Sequence, residues 1–460
     1  MSDVSAEITN WVAGVTGGQV KEIKLVSTGG RQGYRVDVEK EGKPLGLFMQ
    51  QGRPPGTGQF STVTREAEIF RALEAIGVTV PHVWGASEDY HVILLDRLEG
   101  GAWFQEPPDP QQRVTLAQAY ISELAKWHST PAADLALPSF KPIKTARAHQ
   151  EDQLAGIRKV FQEEDAKKPL DALARVTLDY LEKQLPDYDG QAVLCQGDTG
   201  PGNFLYVGNK ITGVIDWELA HIGDPMDDIA WLTWRATQHG FPDMPERLRE
   251  YEKLSGIEVV PQRVYYYRVN ACARLGPWFG LASMAPAPRS TEFAADNDRA
   301  VHGGQWVTGM LHRRMRLEAL GQALGMDLPP RITEAPGAQG EHSNMYHGVL
   351  AQLQNAVGRI EDRLASGLIK GAARQVKYLK QVDLHGESFS RAELADISKL
   401  LGRTVSSFDE GRPALADAAR EGKVSFEGYF LYHWNRMTRD DFLMREASGK
   451  MFERSWPKVK

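Results

Sequence analysis

Hydrophobic and polar residues alternate in short segments of the first hundred residues. Arg35 to Glu39 reads Arg-Val-Asp-Val-Glu, the period-two pattern of a strand with one buried face. Leu45 to Gln50 and His91 to Leu95 are similar short, mainly apolar segments. Between them, Ser61 to Ile76 places apolar residues three and four positions apart, which predicts a helix. With a further short helix over Ile8 to Val15, the pattern predicts a small sheet that carries helices.

Helical periodicity dominates the chain after residue 100. The predicted helices span roughly residues 111–128, 146–163, 170–185, 226–237, 262–281 and 291–324. The composition then shifts to Pro, Gly, Ala and Gln, which is typical of a linker. Beyond it, an apolar stripe over 349–364 and three further segments predict a separate helical region. Those three segments lie near 391–401, 412–421 and 426–445.

The overall composition is that of a soluble globular protein, with 42% hydrophobic and 25% charged residues. A net charge of −6 without a basic stripe argues against a nucleic-acid-binding protein. No apolar run approaches the roughly 18 residues that a membrane span needs. The two cysteines, Cys195 and Cys272, give no disulfide framework. These features predict a cytoplasmic protein that binds neither nucleic acid nor membranes.

The most informative segment reads Cys-Gln-Gly-Asp-Thr-Gly-Pro-Gly-Asn over residues 195–203, followed by Ile-Asp-Trp-Glu over 215–218. Short apolar runs predict strands over residues 193–195, 204–207 and 210–215. Phosphoryl transfer needs a carboxylate to orient the attacking hydroxyl, plus an amide and a carboxylate to hold Mg²⁺. Asp198, Asn203 and Asp216 would supply these roles in that order. The alternative is a pair of hairpins in which Asp and Asn serve only as turn residues.

This segment resembles the catalytic centre of the aminoglycoside phosphotransferase and choline kinase superfamily, which is related to protein kinases. Its pattern is His-Gly-Asp, four residues, Asn, then a strand that ends in Asp. Gln196 stands at the His position and can likewise donate and accept hydrogen bonds. The resemblance implies ATP and Mg²⁺ as cofactors, Asp198 as the catalytic residue, and Asn203 and Asp216 as metal ligands.

The resemblance covers roughly residues 20–325 and implies an α+β, two-lobed protein-kinase-like fold. The N-lobe would be a small antiparallel sheet and the C-lobe mainly helical, followed here by an all-α C-terminal domain. The predicted boundaries are an N-lobe over 1–99, a C-lobe over 100–326, a linker over 327–343 and a helical domain over 344–460.

The resemblance also implies a nucleotide site. A Gly-rich turn between two strands would bring backbone N–H groups close to phosphates, although alone it predicts only a hairpin. The residues assigned to it are Gly29, Gly30, Arg31 and Gly33. Glu66 resembles the helix glutamate that pairs with a phosphate-holding Lys or Arg. Asp96 resembles the acidic start of the hinge segment that binds adenine.

Gln51 departs from the family pattern. Aligning Arg53-Pro-Pro-Gly with the Pro-Pro-Gly run of one branch places Gln51 where the family has a Lys or Arg on a strand. A neutral amide cannot offset phosphate charge. Either Arg53 or Arg31 supplies the cation, the alignment is shifted, or nucleotide binding is weakened or lost.

The sequence signals for the residues that bind the acceptor substrate are less specific. Glu218 belongs to a cluster of five carboxylates and is the one freest to face a substrate, although structural roles account for such a cluster more simply. By resemblance, Tyr266 and Trp278 belong to the acceptor pocket, and core packing is the alternative. The Arg-Pro-Pro-Gly and Asp-Trp-Glu patterns resemble the kinase-like domains associated with acyl-CoA dehydrogenases. That branch favours a hydroxyacyl-CoA or related small-molecule hydroxyl substrate over an aminoglycoside or macrolide antibiotic.

Two classes of function therefore remain. The first is a small-molecule O-phosphotransferase, and the second is a binding or regulatory protein of the same fold with impaired phosphotransfer.

The aromatic run over residues 429–434 predicts the core of the helical C-terminal domain, with a homodimer surface as the alternative.

Overall fold

The N-terminal part of the chain is built on a five-stranded antiparallel sheet. The computed structural model describes residues 4–27, 31–52, 61–102, 104, 109–274, 304–335 and 340–460. The first elements are α1 (Ala6–Thr16), β1 (Gln19–Ser27), β2 (Gln32–Lys40), β3 (Lys43–Gln51), α2 (Val63–Ala75), β4 (Val83–Ser87) and β5 (Val92–Asp96). The strand order is β1-β2-β3-β5-β4. This sheet confirms the predicted antiparallel N-terminal architecture.

Alternation along the strands gives the sheet two distinct faces. The apolar residues of one face are enclosed together with Ile8 and Val12 of α1. They are Tyr34, Val36, Val38, Leu47, Met49, Val92 and Leu94. The predicted half-buried strand is confirmed, because Val36 and Val38 are buried whereas Arg35 is exposed. We call this side of the sheet the α1 face.

Helices and two short strand pairs follow, in agreement with the predicted helical part. The elements are α3 (Pro110–His128), α4 (Ala146–Lys167), α5 (Ala172–Lys183), β6 (Val193–Cys195), β7 (Phe204–Val207), β8 (Lys210–Val214), β9 (His221–Gly223), α6 (Pro225–His239), α7 (Met244–Ser255) and α8 (Pro261–Arg274). Strands β7 and β8 form an antiparallel hairpin, and β6 pairs with β9. The strand β9 and the helix α7 were not predicted from the sequence.

Helix α6 has well-defined ends, which matters because it carries residues of the candidate site. The side chain of Asp224 accepts a hydrogen bond from the backbone N–H of Met226, and Pro225 occupies the first turn. Gly240 ends the helix in the left-handed conformation. An acceptor at the N-cap, proline in the first turn and glycine after the last turn are the features that favour such a helix.

The remaining described elements are helical, as predicted for the C-terminal region. They are α9 (Gly304–Ala323), α10 (Ser343–Val357), α11 (Arg363–Leu401), α12 (Phe408–Arg420), α13 (Phe426–Ser448) and α14 (Lys450–Glu453). The segment predicted as a helix near residue 391 is the end of α11, which runs for 39 residues. The apolar stripe over 349–364 is interrupted after Val357, where α10 ends at Gly358. No described helix is both long enough and apolar enough to cross a membrane.

The described residues form two compact units. The first contains Met1–Gln153, Pro186–Tyr267 and Trp456–Lys460, and the second contains Leu154–Leu185 and Arg268–Ser455. In the second unit the aromatic run of α13 is buried, as expected for core residues. Trp434 donates a hydrogen bond to the carbonyl of Pro329 at 2.9 Å, so part of the predicted linker packs against α13. The domain boundaries inferred from the sequence stay a prediction.

Candidate active site

The β7–β8 hairpin places two of the predicted site residues at one end. Phe204 pairs with Val214, and the backbone N–H of Ile215 donates to the carbonyl of Asn203 at 2.9 Å. Asn203 and Asp216 therefore flank the same pair of strands. Asp216 has a φ angle of 65°, a left-handed conformation that is uncommon outside glycine and asparagine. This conformation also ends the strand, which stops at Val214 rather than at the predicted Ile215.

Asp228 of α6 fixes the segment over residues 196–203, which we call the candidate catalytic loop. Its two carboxylate oxygens accept from the backbone N–H groups of Gln196 and Gly197 at 2.8 and 2.9 Å. His128, at the end of α3, lies 3.1 Å from the same carboxylate, and Tyr251 lies 2.8 Å from the other ring nitrogen of His128. Burial alone would raise the pKa of Asp228, but its bonds with His128, Thr199 and Gly197 lower it. Asp228 is thus a charged anchor beneath the loop.

Gln196 occupies the position where the family pattern has His, and its side chain supports the loop. Its amide donates to the carbonyl of Ile215 at 2.7 Å, and its oxygen accepts from the hydroxyl of Tyr120 at 3.2 Å. The side chain is fully buried. Gln196 therefore ties the catalytic loop to the residue that precedes Asp216, with one donor and one acceptor.

Asp198 and Asn203 contact each other inside this loop. The Asn203 amide donates to the Asp198 carbonyl at 2.7 Å and to Asp198 Oδ2 at 2.9 Å. Arg235 of α6 also binds Asp198 with two nitrogens, Nε to Oδ1 at 2.7 Å and Nη2 to Oδ2. Sequence reasoning missed Arg235 and the anchoring role of Asp228. The available signal was their spacing, because residues seven positions apart lie on one side of a helix.

Arg31 and Glu66 form a buried ion pair next to this centre. Arg31 Nη1 donates to Glu66 Oε2 at 2.7 Å, and Nη2 lies 2.5 Å from Oε1. Nη2 also lies 3.2 Å from Glu218 Oε2. Burial acts to lower the pKa of Arg31, but the bond and charge of Glu66 raise it, with help from Glu218 and Asp216. Arg31 is therefore held as a cation between α2 and the residues that follow β8.

Gln51 does not join this ion pair. It shares the alternation of Leu47 and Met49, whose side chains lie on the α1 face. Its oxygen accepts from the Tyr34 hydroxyl at 3.3 Å, and its amide lies 3.5 Å from the Tyr90 carbonyl. Gln51, which aligns with the Lys or Arg of the family pattern, is thus not paired with Glu66. Arg31 lies beside Glu66 instead.

The other predicted site residues occupy different environments. Gly33 lies in β2 opposite Gln50, and a Cβ there would come within 2.8 Å of the Phe48 ring. Asp96 ends β5 and accepts a hydrogen bond from Trp84 Nε1 at 2.7 Å. Tyr266 is only 2% exposed and packs edge-on against Tyr267. The remaining predicted residues, Gly29, Gly30, Arg53 and Trp278, lie outside the described residues.

The charge around Asp216 suits a divalent cation. Although this side chain keeps an exposed surface, desolvation by the surrounding protein, then Glu218 and Asp198, raises the pKa of Asp216 to about 6. Arg235 and Arg31 act in the opposite direction. A cation would relieve this crowding of carboxylates, and Mg²⁺ is usually bound through one or two carboxylates plus substrate phosphates. The oxygen donors of Asp216 and Asn203 fit that requirement.

Comparisons with known proteins find distant relatives that are longer than this chain. Acyl-CoA dehydrogenase family member 11 from Homo sapiens is 24% identical over 284 residues, which cover 55% of this chain and 35% of that protein. Probable acyl-CoA dehydrogenase IBR3 from Arabidopsis thaliana is 26% identical over 250 residues, covering 47% and 30% respectively. The chain thus spans about a third of the length of these relatives.

A solved structure shares the fold of this chain, and a family model gives the classification. The crystal structure of a putative aminoglycoside phosphotransferase from Ralstonia eutropha JMP134 matches with a TM-score of 0.51 at 15% identity, covering 70% of this chain and 98% of that one. At this identity the likeness concerns the fold. The model of the phosphotransferase enzyme family matches residues 22–261, more than half of the chain. This range includes the sheet except the first three residues of β1, the catalytic loop and the β7–β8 hairpin. The chain therefore belongs to the phosphotransferase enzyme family.

Proposed function

We propose that this chain is an ATP- and Mg²⁺-dependent phosphotransferase that moves the γ-phosphoryl group of ATP to a hydroxyl of a small molecule. The observation that carries the proposal is that Asp198, Asn203 and Asp216 lie around one end of the β7–β8 hairpin. Asn203 bonds to Asp198, and its carbonyl accepts from the N–H of Ile215, the residue before Asp216. Arg31, paired with Glu66, lies beside Glu218, two residues further on. Phosphoryl transfer depends mainly on positioning and on charge stabilisation, and this group of residues supplies both.

Asp198 would orient the acceptor hydroxyl. Its side chain is 18% exposed, so a substrate can reach it, while its rotamer is held by Arg235 and Asn203. In the proposed step the acceptor oxygen forms a bond to the γ-phosphorus as the bond from that phosphorus to the β–γ bridging oxygen breaks. The hydroxyl proton passes to the Asp198 carboxylate, and ADP leaves.

Arg31 would hold the phosphates of ATP, in the role that the family pattern gives to a Lys or Arg on the third strand. A guanidinium can hold two phosphate oxygens at once. The Gly-rich segment over residues 29–33 would contribute backbone N–H groups to the phosphates. The segment that begins at Asp96 would bind the adenine through its backbone. Glu66 fixes the orientation of Arg31 from α2.

Asn203 and Asp216 would hold the metal. When bound, Mg²⁺ neutralises phosphate charge and aligns the γ-phosphoryl group. The contribution of this chain is to keep both ligands at one hairpin end, through the bond between Ile215 and Asn203, and to keep Asn203 in contact with Asp198.

For the acceptor, we propose a hydroxyacyl-CoA or a related hydroxyl-bearing metabolite. The support is the similarity to proteins named as acyl-CoA dehydrogenases, which concerns about a third of their length. Glu218, which is 30% exposed and lies next to Arg31, is the described carboxylate proposed to face the substrate. Aminoglycoside and macrolide antibiotics are the competing acceptor class.

The test is a transfer assay with γ-labelled ATP, Mg²⁺ and a panel of acceptors. The panel contains hydroxyacyl-CoA thioesters, the corresponding free hydroxy acids, an aminoglycoside and a macrolide. We expect a product that has gained one phosphoryl group with the thioesters, and no such product with the Asp198→Asn variant. Transfer to an antibiotic alone would overturn the acceptor class while leaving the phosphotransferase assignment in place.

A binding or regulatory role without transfer is the second candidate. The observation that favours it is the pairing of both Asp198 oxygens with Arg235, which leaves the carboxylate less open to an acceptor. Calorimetric ATP binding by a protein that neither hydrolyses ATP nor phosphorylates any member of the panel would support this role.

A further inference from the structure

The environment of Arg235 distinguishes it from a surface residue that happens to lie near Asp198. Two nitrogens of one guanidinium bind two oxygens of one carboxylate, an arrangement that fixes direction as well as distance. Both side chains are only about one-fifth exposed. Arg235 reaches this position from the middle of α6, whose first turn carries Asp228, the anchor of the same loop.

The turn of the catalytic loop is shaped around Arg235. Gly200 and Gly202 have φ angles of 132° and 103°, which side chains rarely adopt. A Cβ at Gly200 would lie 2.7 Å from the Cβ of Arg235, and a Cβ at Gly202 would lie 3.4 Å from its Nη1. Gly200 therefore lets the backbone of the loop approach the arginine more closely than another residue would, whereas Gly202 is favoured by its backbone conformation alone.

Asp198 is held from two directions as a result. Asn203 contributes one donor to Oδ2, while Arg235 contributes one donor to each oxygen. A carboxylate offers about four acceptor positions, so three bonds leave one for a hydroxyl proton. Because Oδ1 receives only one of the three described bonds, it is the oxygen that remains open to the acceptor.

We propose that Arg235 is a positioning residue of the phosphotransfer centre, which acts by fixing Asp198 in the orientation that presents Oδ1 to the acceptor oxygen. The inference rests on the proposed function, since it concerns the same reaction. Under this proposal the ion pair promotes transfer, because Arg235 orients Asp198 toward the acceptor. The opposite interpretation is that the pair inhibits transfer by occupying the Asp198 carboxylate.

The test uses hydrolysis of MgATP by the full chain, with water as the acceptor, because this reaction needs no identified substrate. Arg235→Ala and Arg235→Lys are compared with wild type and with Arg249→Gln, which changes an exposed arginine of α7. ATP affinity is measured by calorimetry on each variant, and hydrolysis by Arg235→Ala is repeated with added guanidinium chloride at concentrations below those that unfold the protein.

We expect Arg235→Ala to lower kcat by about 100-fold, the cost of misplacing a catalytic group by a small distance. Its KM and its calorimetric Kd for ATP should stay within about twofold of wild type, guanidinium should restore part of kcat, and Arg235→Lys should be intermediate. Arg249→Gln should match wild type.

Wild-type or higher turnover by Arg235→Ala would overturn the inference, and a higher value would establish the inhibitory interpretation. Loss of activity through a raised Kd, without guanidinium rescue, would also overturn it. If Arg235→Ala does not fold, Arg235→Lys decides, and wild-type kcat in that variant overturns the inference. If the wild-type protein neither binds nor hydrolyses ATP, the proposed function fails and this inference falls with it.

Discussion

Arg31 and Glu66 are joined by two contacts of 2.7 and 2.5 Å, although one lies just before β2 and the other in the first turn of α2. Through this pairing Glu66 has a cationic partner, which the neutral side chain of Gln51 on β3 could not be. It supports Arg31 as the cation of the proposed nucleotide site, because Arg31 stands beside Glu66 and Gln51 does not, while Arg53 lies outside the described residues.

Removal of the Arg31 cation should weaken ATP binding. A hydrogen bond to a charged group contributes about 1.5–3 kcal/mol, so we expect Arg31→Ala to raise the Kd for ATP by at least about tenfold. Calorimetric titration with MgATP measures this change. Arg35→Ala is the matched control, since Arg35 lies on the neighbouring strand, is about half exposed and pairs with Asp37. Equal affinities for the two variants would contradict the assignment.

The same geometry predicts that Gln51→Lys does not improve nucleotide binding. Gln51 shares the α1 face with Met49 and contacts the Tyr34 hydroxyl, so a lysine there would extend away from Glu66. We expect the Kd for ATP to stay within about twofold of wild type. A variant that binds ATP at least about tenfold more tightly, a gain of about 1.4 kcal/mol, would show that Gln51 occupies the phosphate-binding position after all.

Loss of the Asp216 carboxylate should remove the magnesium dependence of ATP binding. Oxygen ligands are required by Mg²⁺, and Asp216 is the carboxylate at the hairpin end that also carries Asn203. We expect the affinity of Asp216→Ala for ATP to be the same with and without Mg²⁺, whereas wild type binds more tightly with the metal. Glu99→Gln, at an exposed position, serves as the control. A metal effect of wild-type size in Asp216→Ala would refute the ligand assignment.

Asp228 should contribute to the free energy of unfolding as well as fix the catalytic loop. Replacing it by Ala leaves two buried backbone N–H groups and His128 without their acceptor. Each buried donor that is left without its acceptor typically costs about 1–3 kcal/mol of the free energy of unfolding, so we expect a loss of at least about 2 kcal/mol. Urea denaturation followed by circular dichroism measures the loss. A change below about 1 kcal/mol would mean that the loop finds other support.

His433 should give the second compact unit a pH-dependent stability. Desolvation, followed by the charges of Arg436, Arg313 and Arg412, holds the pKa of His433 well below 6.5. The His433 side chain therefore stays unprotonated in the folded state, whereas in the unfolded state it takes up a proton as the pH falls below 6.5. The free energy of unfolding should fall with falling pH in this range, by up to about 1.4 kcal/mol per pH unit for one proton.

Urea denaturation at a series of pH values between 7 and 5.5 tests this dependence. We expect His433→Gln to have a shallower pH dependence than wild type, and His347→Gln, at an exposed position, to keep the wild-type slope. Identical slopes for His433→Gln and wild type would assign the pH dependence to other groups.

The catalytic loop was predictable because its information is local. Asp198 and Asn203 are five residues apart and bond to each other, and Asp216 follows a short hairpin whose strands were recognisable from their apolar runs. The N-terminal sheet was predictable for a similar reason, since alternation in β2 reports directly which residues face α1. In both regions, the pattern of apolar residues over a few positions is enough to predict the strands.

The supports of the loop were not predictable from the sequence. Arg235 is 37 residues from Asp198, and Asp228 is 32 residues from Gln196, so only the tertiary arrangement of α6 reveals these contacts. The predicted helix over residues 226–237 places Asp228 in its first turn, which is correct, but this position gives no sign of the partners of Asp228. Tyr266 illustrates the opposite limit, because an aromatic residue on a helix gives no sign of which neighbours will bury it.

In the proposed reaction, Asp198 orients the acceptor hydroxyl and accepts its proton during phosphoryl transfer from bound ATP. The most direct measurement compares Asp198→Asn with wild type in two assays, calorimetric affinity for MgATP and the rate of ADP formation with the best acceptor of the panel. We predict an unchanged Kd, within about twofold, and a rate lowered by more than about tenfold, which corresponds to more than about 1.4 kcal/mol of barrier. A folded Asp198→Asn variant that keeps more than about a tenth of the wild-type rate would contradict the claim.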